Sequence, residues 1–218
     1  MKAFGHCLLS QQKFGGQPQD YQYIHYFIDS SRFFLYHTKH RVCLHNLYGV
    51  ELAVQFFGEF ITNSDGTKIS VELVAKEHCK EDLNGYIPSL YDFLKDNKQL
   101  EELLPKKLPS LHNEVWDKFL GRPYEMSGLR VSLLITYSDF GVKLLDYFFG
   151  EEAAQTLRNA LQPMLLLKDF LHQFKFTEPW QTTLNQVDLD WLNAYYKKNP
   201  RDEEYSEWLV LNLKDFKK

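Results

Sequence analysis

Apolar residues recur along most of this chain at three- and four-residue spacing, the period that puts them on one face of an α-helix. Residues 3–14 form such a segment, stopped by Gly15-Gly16 and then Pro18. Asp20 can cap a short helix running to about Phe27. Asp29, Ser30 and Ser31 then offer an N-cap for one long helix to about Phe57, with Gly58 after it. Gly49 interrupts that helix, as a closely approaching backbone would require. In "FITNSDGTKISV", Asp65-Gly66 is a turn signal between Ile61, Thr62, Ile69 and Val71, which suit strands, so a β-hairpin is expected near residues 60–71. Ser70 can cap a helix over residues 71–83, closed by Asn84-Gly85, and Pro88-Ser89 opens a further one through Leu94. Helical segments follow near 111–120, 129–149, 151–161, 164–174, 188–198 and 203–216, punctuated by Pro163, Pro179 and Pro200. The pattern predicts a mainly α-helical, bundle-like protein with one small hairpin.

Between these helices, "KDNKQLEELLPKKLPS" is charged, holds two prolines and has no aromatic residue. It marks residues 96–110 as a linker or boundary between residues 1–95 and an aromatic-rich helical extension, 111–218. One internal echo crosses that boundary. "GVELAVQFFGE" at Gly49–Glu59 aligns without gaps to "GVKLLDYFFGE" at Gly141–Glu151, with seven of eleven positions identical. A degenerate duplication and a convergent helix ending, aromatics followed by glycine, both account for it. His40 aligns with Ser132 and His45 with Tyr137, so a histidine-based site belongs to the first half alone.

Composition narrows the function classes. With 218 residues and 44% hydrophobic content the chain can bury one large core or two small ones. The net charge of −4 and a pI of about 6.1 do not suit a nucleic-acid binder, which shows a basic face or a high pI. Cys7, Cys43 and Cys79 are odd in number and form no C-x-x-C, so a reducing compartment is expected. The first residues lack the apolar run and cleavage site of a signal peptide, and no apolar run approaches the ~18 residues of a membrane span. A soluble, cytoplasmic protein is the expectation. Cys7 and Cys79 each follow a histidine, but helix neighbours point about 100° apart, so each reads as a buried structural cysteine rather than half of a nucleophile–base couple. Walker A, G-x-G-x-x-G, G-x-S-x-G and H-E-x-x-H motifs are missing, as is the adjacent His-Asp pair of the HD phosphohydrolases.

The candidate chemistry lies in the histidines, six of which (His6, His25, His37, His40, His45 and His78) fall within the first 95 residues. On the expected long helix, His37 and His40 are i, i+3 neighbours about 60° apart, so both could reach one ion. His45 sits about 12 Å along the axis from His37 and pairs better with Arg41, one turn away, as an anion contact. In "VELVAKEHCKEDL", Val71, Val74, Ala75, His78 and Asp82 share a face, which makes His78 with Asp82 a reasonable ligand pair. His25 precedes Asp29 by one turn. A buried hydrogen-bond network is the alternative use of such histidines.

"KFGGQPQDY" at Lys13–Tyr21, "IH" at Ile24-His25, "HRVCLHN" at His40–Asn46, "NSDG" at Asn63–Gly66 and "EHCKEDLNGYIPS" at Glu77–Ser89 together resemble an uncharacterised bacterial and phage family of short domains. The resemblance covers about residues 3–95. The family has no assigned activity. The resemblance implies that His6, His25, His40, Arg41, His45, His78 and Asp82 belong to one shared pattern; His37 lies outside it.

The functional expectation is a metal-dependent hydrolase. His37, His40 and His78, with His25, hold a divalent ion such as zinc; Asp82 ligates it or acts as base; Arg41 neutralises a small anionic, phosphoester-like substrate; His45 and His6 assist as second contacts. Arg41 should face the pocket and find a partner among Asp29, Glu77, Asp82 and Asp92, or an anion. The rival is a non-catalytic interaction protein whose histidines form a buried structural network and whose partner docks on Trp180, Trp191, Tyr195, Tyr196 and Trp208.

Overall fold

The structure is a computed structural model that describes residue 1 and residues 3–35 and 37–200. The helix expected over 203–216, and Trp208 with it, lie outside the described residues. Mainly helical architecture with a single hairpin holds among them, and no helix is long and apolar enough to cross a membrane. Helix α1 spans Ala3–Phe14 and α2 spans Gln22–Ile28.

The long helix expected from Asp29 to Phe57 does not form. Its place is taken by 3-10 turns at Ser30–Phe33 and Thr38–His40, the short α3 (Arg41–Leu44) and α4 (Leu47–Phe57). Two side chains cause the breaks. His37, in extended conformation, accepts from the Lys39 N–H and starts the second turn. Asn46, also extended, accepts from the Tyr48 and Gly49 N–H groups and caps α4. Each offers the backbone a local alternative to an unbroken helix. His37, His40 and His45 therefore do not share a helix face.

Strands β1 (Phe60–Thr62) and β2 (Lys68–Ser70) pair antiparallel, with Ile61 opposite Ile69. Asn63 closes the turn by accepting from the N–H groups of Asp65 and Thr67. The Ser70 hydroxyl caps α5 (Val71–Asp82), and a Ser89–Asp92 capping box starts α6 (Leu90–Leu94). The remaining helices are α7 (Glu114–Ser127), α8 (Asp139–Phe149), α9 (Glu151–Ala160), α10 (Leu167–Gln173) and α11 (Gln186–Lys198).

The chain gathers into two compact units, neither continuous in sequence: Met1–Ser30, Leu44–Ile87 and the stretch from Glu178 in one, Ser31–Cys43 and Pro88–Thr177 in the other. This division differs from a split at 96–110. Residues 98–103 form a 3-10 turn within the second unit, packed on a second such turn at Arg130–Leu134. The Asn97 side chain there donates to the Lys175 carbonyl and accepts from its N–H. In the first unit, α1, α2, α4 and α5 pack together, and α11 lays Leu192 on Leu8 and Leu9, flanked by Trp191, Tyr195 and Tyr196.

Each unit holds one copy of the internal echo, and the likeness extends well beyond the eleven residues. Phe27 packs against Phe56 and Phe57 at 5.7 and 5.8 Å between ring centres; Phe119, 92 positions later, packs against Phe148 and Phe149 at 5.0 and 5.3 Å. Gly58 and Gly150, at φ 86° and 91°, end α4 and α8. Gly49 and Gly141 meet the carbonyl oxygen five residues earlier so closely that a Cβ would lie 1.9 Å from Leu44 O and 1.7 Å from Thr136 O. The approaching backbone expected at Gly49 is thus the turn that precedes its own helix. Glycine inside an exposed helix costs about 1 kcal/mol relative to alanine, so Gly49→Ala would ordinarily stabilise. Here both Gly49→Ala and Gly141→Ala should lower stability by at least about 2 kcal/mol in urea unfolding, because backbone must move to admit the methyl. A neutral or stabilising effect would show that the close approach is not maintained.

Candidate metal centre

Four segments of the first unit bring ionisable side chains to one place. Helix α1 supplies His6 and Ser10, one turn apart on the same face; α2 supplies His25, with Asp29 one turn further at its C-cap. The turn between α3 and α4 supplies His45. Helix α5 supplies His78, Glu81 and Asp82, spaced i, i+3, i+4. All are buried: the four imidazoles and Glu81 have no exposure, Asp82 has 1% and Asp29 6%.

His78 is the hub. Its Nδ1 lies 3.0 Å from His25 Nδ1, and its Nε2 lies 3.1 Å from His45 Nε2. His25 Nε2 is in turn 2.8 Å from the Ser10 hydroxyl. Around His45 Nε2 stand Asp82 Oδ2 at 3.3 Å and Asp29 Oδ1 at 3.4 Å; the latter is 3.7 Å from His78 Nε2. His6 lies behind Asp82, with Nε2 3.5 Å from Asp82 Oδ1 and Nδ1 2.6 Å from Glu81 Oε2. Glu81 takes Lys13 Nζ on its other oxygen at 2.7 Å, and the amino group of Met1 lies 2.8 Å from Asp82 Oδ1.

Two overlapping sets of ligand atoms lie within 4.8 Å of one another: His6, His25 and His78; and Asp29, His45, His78 and Asp82. This buried cluster could hold a metal ion, and ring geometry favours the second set. An imidazole binds an ion close to its own plane. His6 and His78 are stacked at 3.8 Å and 13°, so their lone pairs run in parallel planes and cannot meet at one point. His45 and His78 stand at 76°, which lets both Nε2 atoms aim at a common centre. Four ligands at about 2.0–2.1 Å around a tetrahedral ion are about 3.3–3.4 Å apart, close to the 3.1, 3.3 and 3.4 Å separations from His45 Nε2. A proton alone does not organise that arrangement. His45 Nε2 carries at most one, yet it faces an imidazole nitrogen and two carboxylates.

The neighbours complete a consistent protonation scheme. With its Nε2 lone pair turned to the centre, His78 carries its proton on Nδ1 and donates to His25 Nδ1; His25 then donates from Nε2 to Ser10 Oγ. Such outer partners fix the tautomer and orientation of a ligating histidine. The cysteines belong to neither set; burial pushes the Cys7 and Cys79 thiols up.

Of the residues expected to form the site, His25, His78, Asp82, His6 and His45 come together. His37 and His40 belong to neither ligand group. Both lie in the second unit, where His40 Nδ1 donates to the His37 carbonyl at 2.6 Å and Ser31 donates to the His40 carbonyl. Arg41, also in the second unit, is buried at the start of α3. Asp29, Glu81 and Ser10 were not among the expected site residues. The one sequence signal for Asp29 was its position a turn beyond His25. Other segments of the motif pattern have structural work: Gly16 N–H donates to Asp65, Asp20 accepts from Ser64, and Tyr21 OH donates to the Gly15 carbonyl, which ties residues 15–21 to the hairpin turn.

Burial, and next the charge of His78, holds His6 and His25 well below the ordinary 6.5. Burial drives Glu81 upward to about 7, against the pull of Lys13. The two effects have opposite signs. Histidines kept neutral in the fold contribute stability above pH 6.5 that is lost as the pH falls below it and the unfolded chain takes up protons. A raised Glu81 contributes stability below about pH 4.5 that is lost as the pH rises through about 7. Two histidines against one glutamate leave about one net proton between pH 6.5 and 4.5. Metal-free protein should therefore lose up to about 1.4 kcal/mol per pH unit on acidification across that window. Glu81→Gln should steepen the loss in urea titrations at fixed pH, and a profile flat from pH 6.5 to 4.5 would contradict the neutral-histidine assignment.

No curated protein and no solved structure matches this chain. One family model does, in line with the resemblance read over residues 3–95, and it spans every residue of the cluster: residues 1–103 match the model of a family described as a domain of unknown function, DUF6915.

Proposed function

We propose that the protein is a metalloprotein in which Asp29, His45, His78 and Asp82 hold one divalent ion such as zinc, and that this centre serves hydrolysis of a small anionic, phosphoester-like substrate. The observation that supports the ion is the convergence of two imidazole nitrogens and two carboxylate oxygens inside the core, with the three separations from His45 Nε2 close to a tetrahedral edge. Two nitrogen and two oxygen donors suit zinc and its first-row neighbours better than calcium or magnesium. When bound, such an ion supplies Lewis acidity toward a phosphoryl oxygen and lowers the pKa of water. The chain's own groups do the rest. His25 and Ser10 orient His78. His6 and Glu81 stand behind Asp82 and share a proton at neutral pH, since Glu81 sits near 7. Asp82 is thus a ligand in this scheme, and Glu81 with His6 is the proton store.

Full burial of all four imidazoles favours a second reading. Structural metal sites are closed, whereas catalytic ones keep an open position. In that case the ion, or the Ser10–His25–His78–His45 hydrogen-bonded chain alone, holds α1, α2 and α5 together without turnover.

Elemental analysis of protein purified without a metal-affinity tag should find about one equivalent of a transition metal. His45→Ala and Asp82→Asn should each lose it, and a chelator should lower the melting temperature of the wild type but not of these variants. Loaded protein should hydrolyse bis-p-nitrophenyl phosphate at a rate that falls at least about 100-fold in His45→Ala. Metal without turnover would support the closed, structural role. Protein that neither carries nor takes up metal would refute both forms of the centre and leave the hydrogen-bonded network.

A further inference from the structure

The second unit contains a cavity of about 730 Å³ that the metal centre does not explain. One wall is the proline-containing stretch expected to be a linker. After the 3-10 turn at 98–103, residues 104–113 run without regular structure to the start of α7. The opposite wall is the connection between α9 and α10.

Three properties give the cavity a ligand class. Its size lies within the range of small-molecule sites, and its floor is apolar, built from Leu104, Leu108, Leu161, Met164 and Leu165. Pro105, Pro109 and Pro163 fix φ along both walls, so the concavity exists before anything binds and little ordering entropy is lost on occupation. Lys107 supplies a positive charge at its lining beside the His112 imidazole, and no carboxylate lines it among the described residues. His112 is held at φ 55°, a left-handed conformation uncommon for a side-chain-bearing residue. Its N–H donates to Ser110 Oγ, whose hydroxyl donates to Asp117, so the turn that presents this imidazole is fixed from behind. Strained residues of this kind collect at ligand-binding positions.

We propose that this cavity binds an anionic amphiphile, with an acyl or similar apolar chain on the leucine floor and a carboxylate head between Lys107 and His112. The site is independent of the metal centre, since every residue involved belongs to the second unit.

Decanoate, decanol and decyltrimethylammonium, each titrated into the full-length protein below its micellar concentration, provide the test. Decanoate should bind one to one by calorimetry, at least tenfold more tightly than the other two. Lys107→Glu, at an exposed position, should weaken decanoate at least tenfold with an unchanged melting temperature, and Leu108→Trp should block it by filling the floor. A diazirine-bearing decanoate should crosslink to residues 103–112 or 160–165, which locates the site even if a variant fails to fold. No binding, equal binding of the cationic analogue, or crosslinks confined to other residues would overturn the proposal.

Discussion

Everything at the centre of the first unit depends on how His78 is satisfied. Its ring meets His25 at one nitrogen and His45 at the other, and lies flat on His6. Burying polar groups costs free energy unless each finds a partner, and burying charge costs more. The core lowers that cost by keeping His6 and His25 neutral and pushing Glu81 toward its protonated form. Asp29 and Asp82 are the remaining acidic groups beside the imidazoles; the Met1 amino group lies 2.8 Å from Asp82, and a divalent cation held in the proposed site would add further positive charge between the two carboxylates.

The internal echo shows local packing that recurs without this cluster. Each unit repeats the packing of one phenylalanine on an aromatic pair and the close approach of a helical glycine to the preceding turn. At the same offset, however, His25 becomes Asp117, Asp29 becomes Gly121 and His45 becomes Tyr137. Buried polar clusters are often no more stabilising than apolar cores of equal volume, so stability alone does not account for these histidines.

Much of this was legible in the chain. Helical periodicity, the Asp65-Gly66 turn and the glycine and proline stops gave the fold class and the hairpin. The pairing of His78 with Asp82 followed from α5 alone, because i, i+4 spacing is a local property. The sequence could not reveal the break at Asn46, because asparagine is tolerated inside helices and caps them only when the backbone turns extended. The cap at His37 separates His37 from the helix face expected to join it to His40, and the break at Asn46 leaves His45 in the turn that takes it to His78. Asp29 was read as a helix cap for the same reason. Residues 96–110 looked like a linker because charge and proline mark flexible segments and packed irregular loops alike.

X-ray absorption at the edge of whichever metal copurifies with the protein addresses the central claim most directly. The account predicts a first shell of only nitrogen and oxygen at about 2.0–2.1 Å, with the multiple-scattering signature of two imidazoles. A sulfur shell near 2.3 Å, which would draw on Cys7, Cys43 or Cys79, or a shell without imidazole, would contradict it.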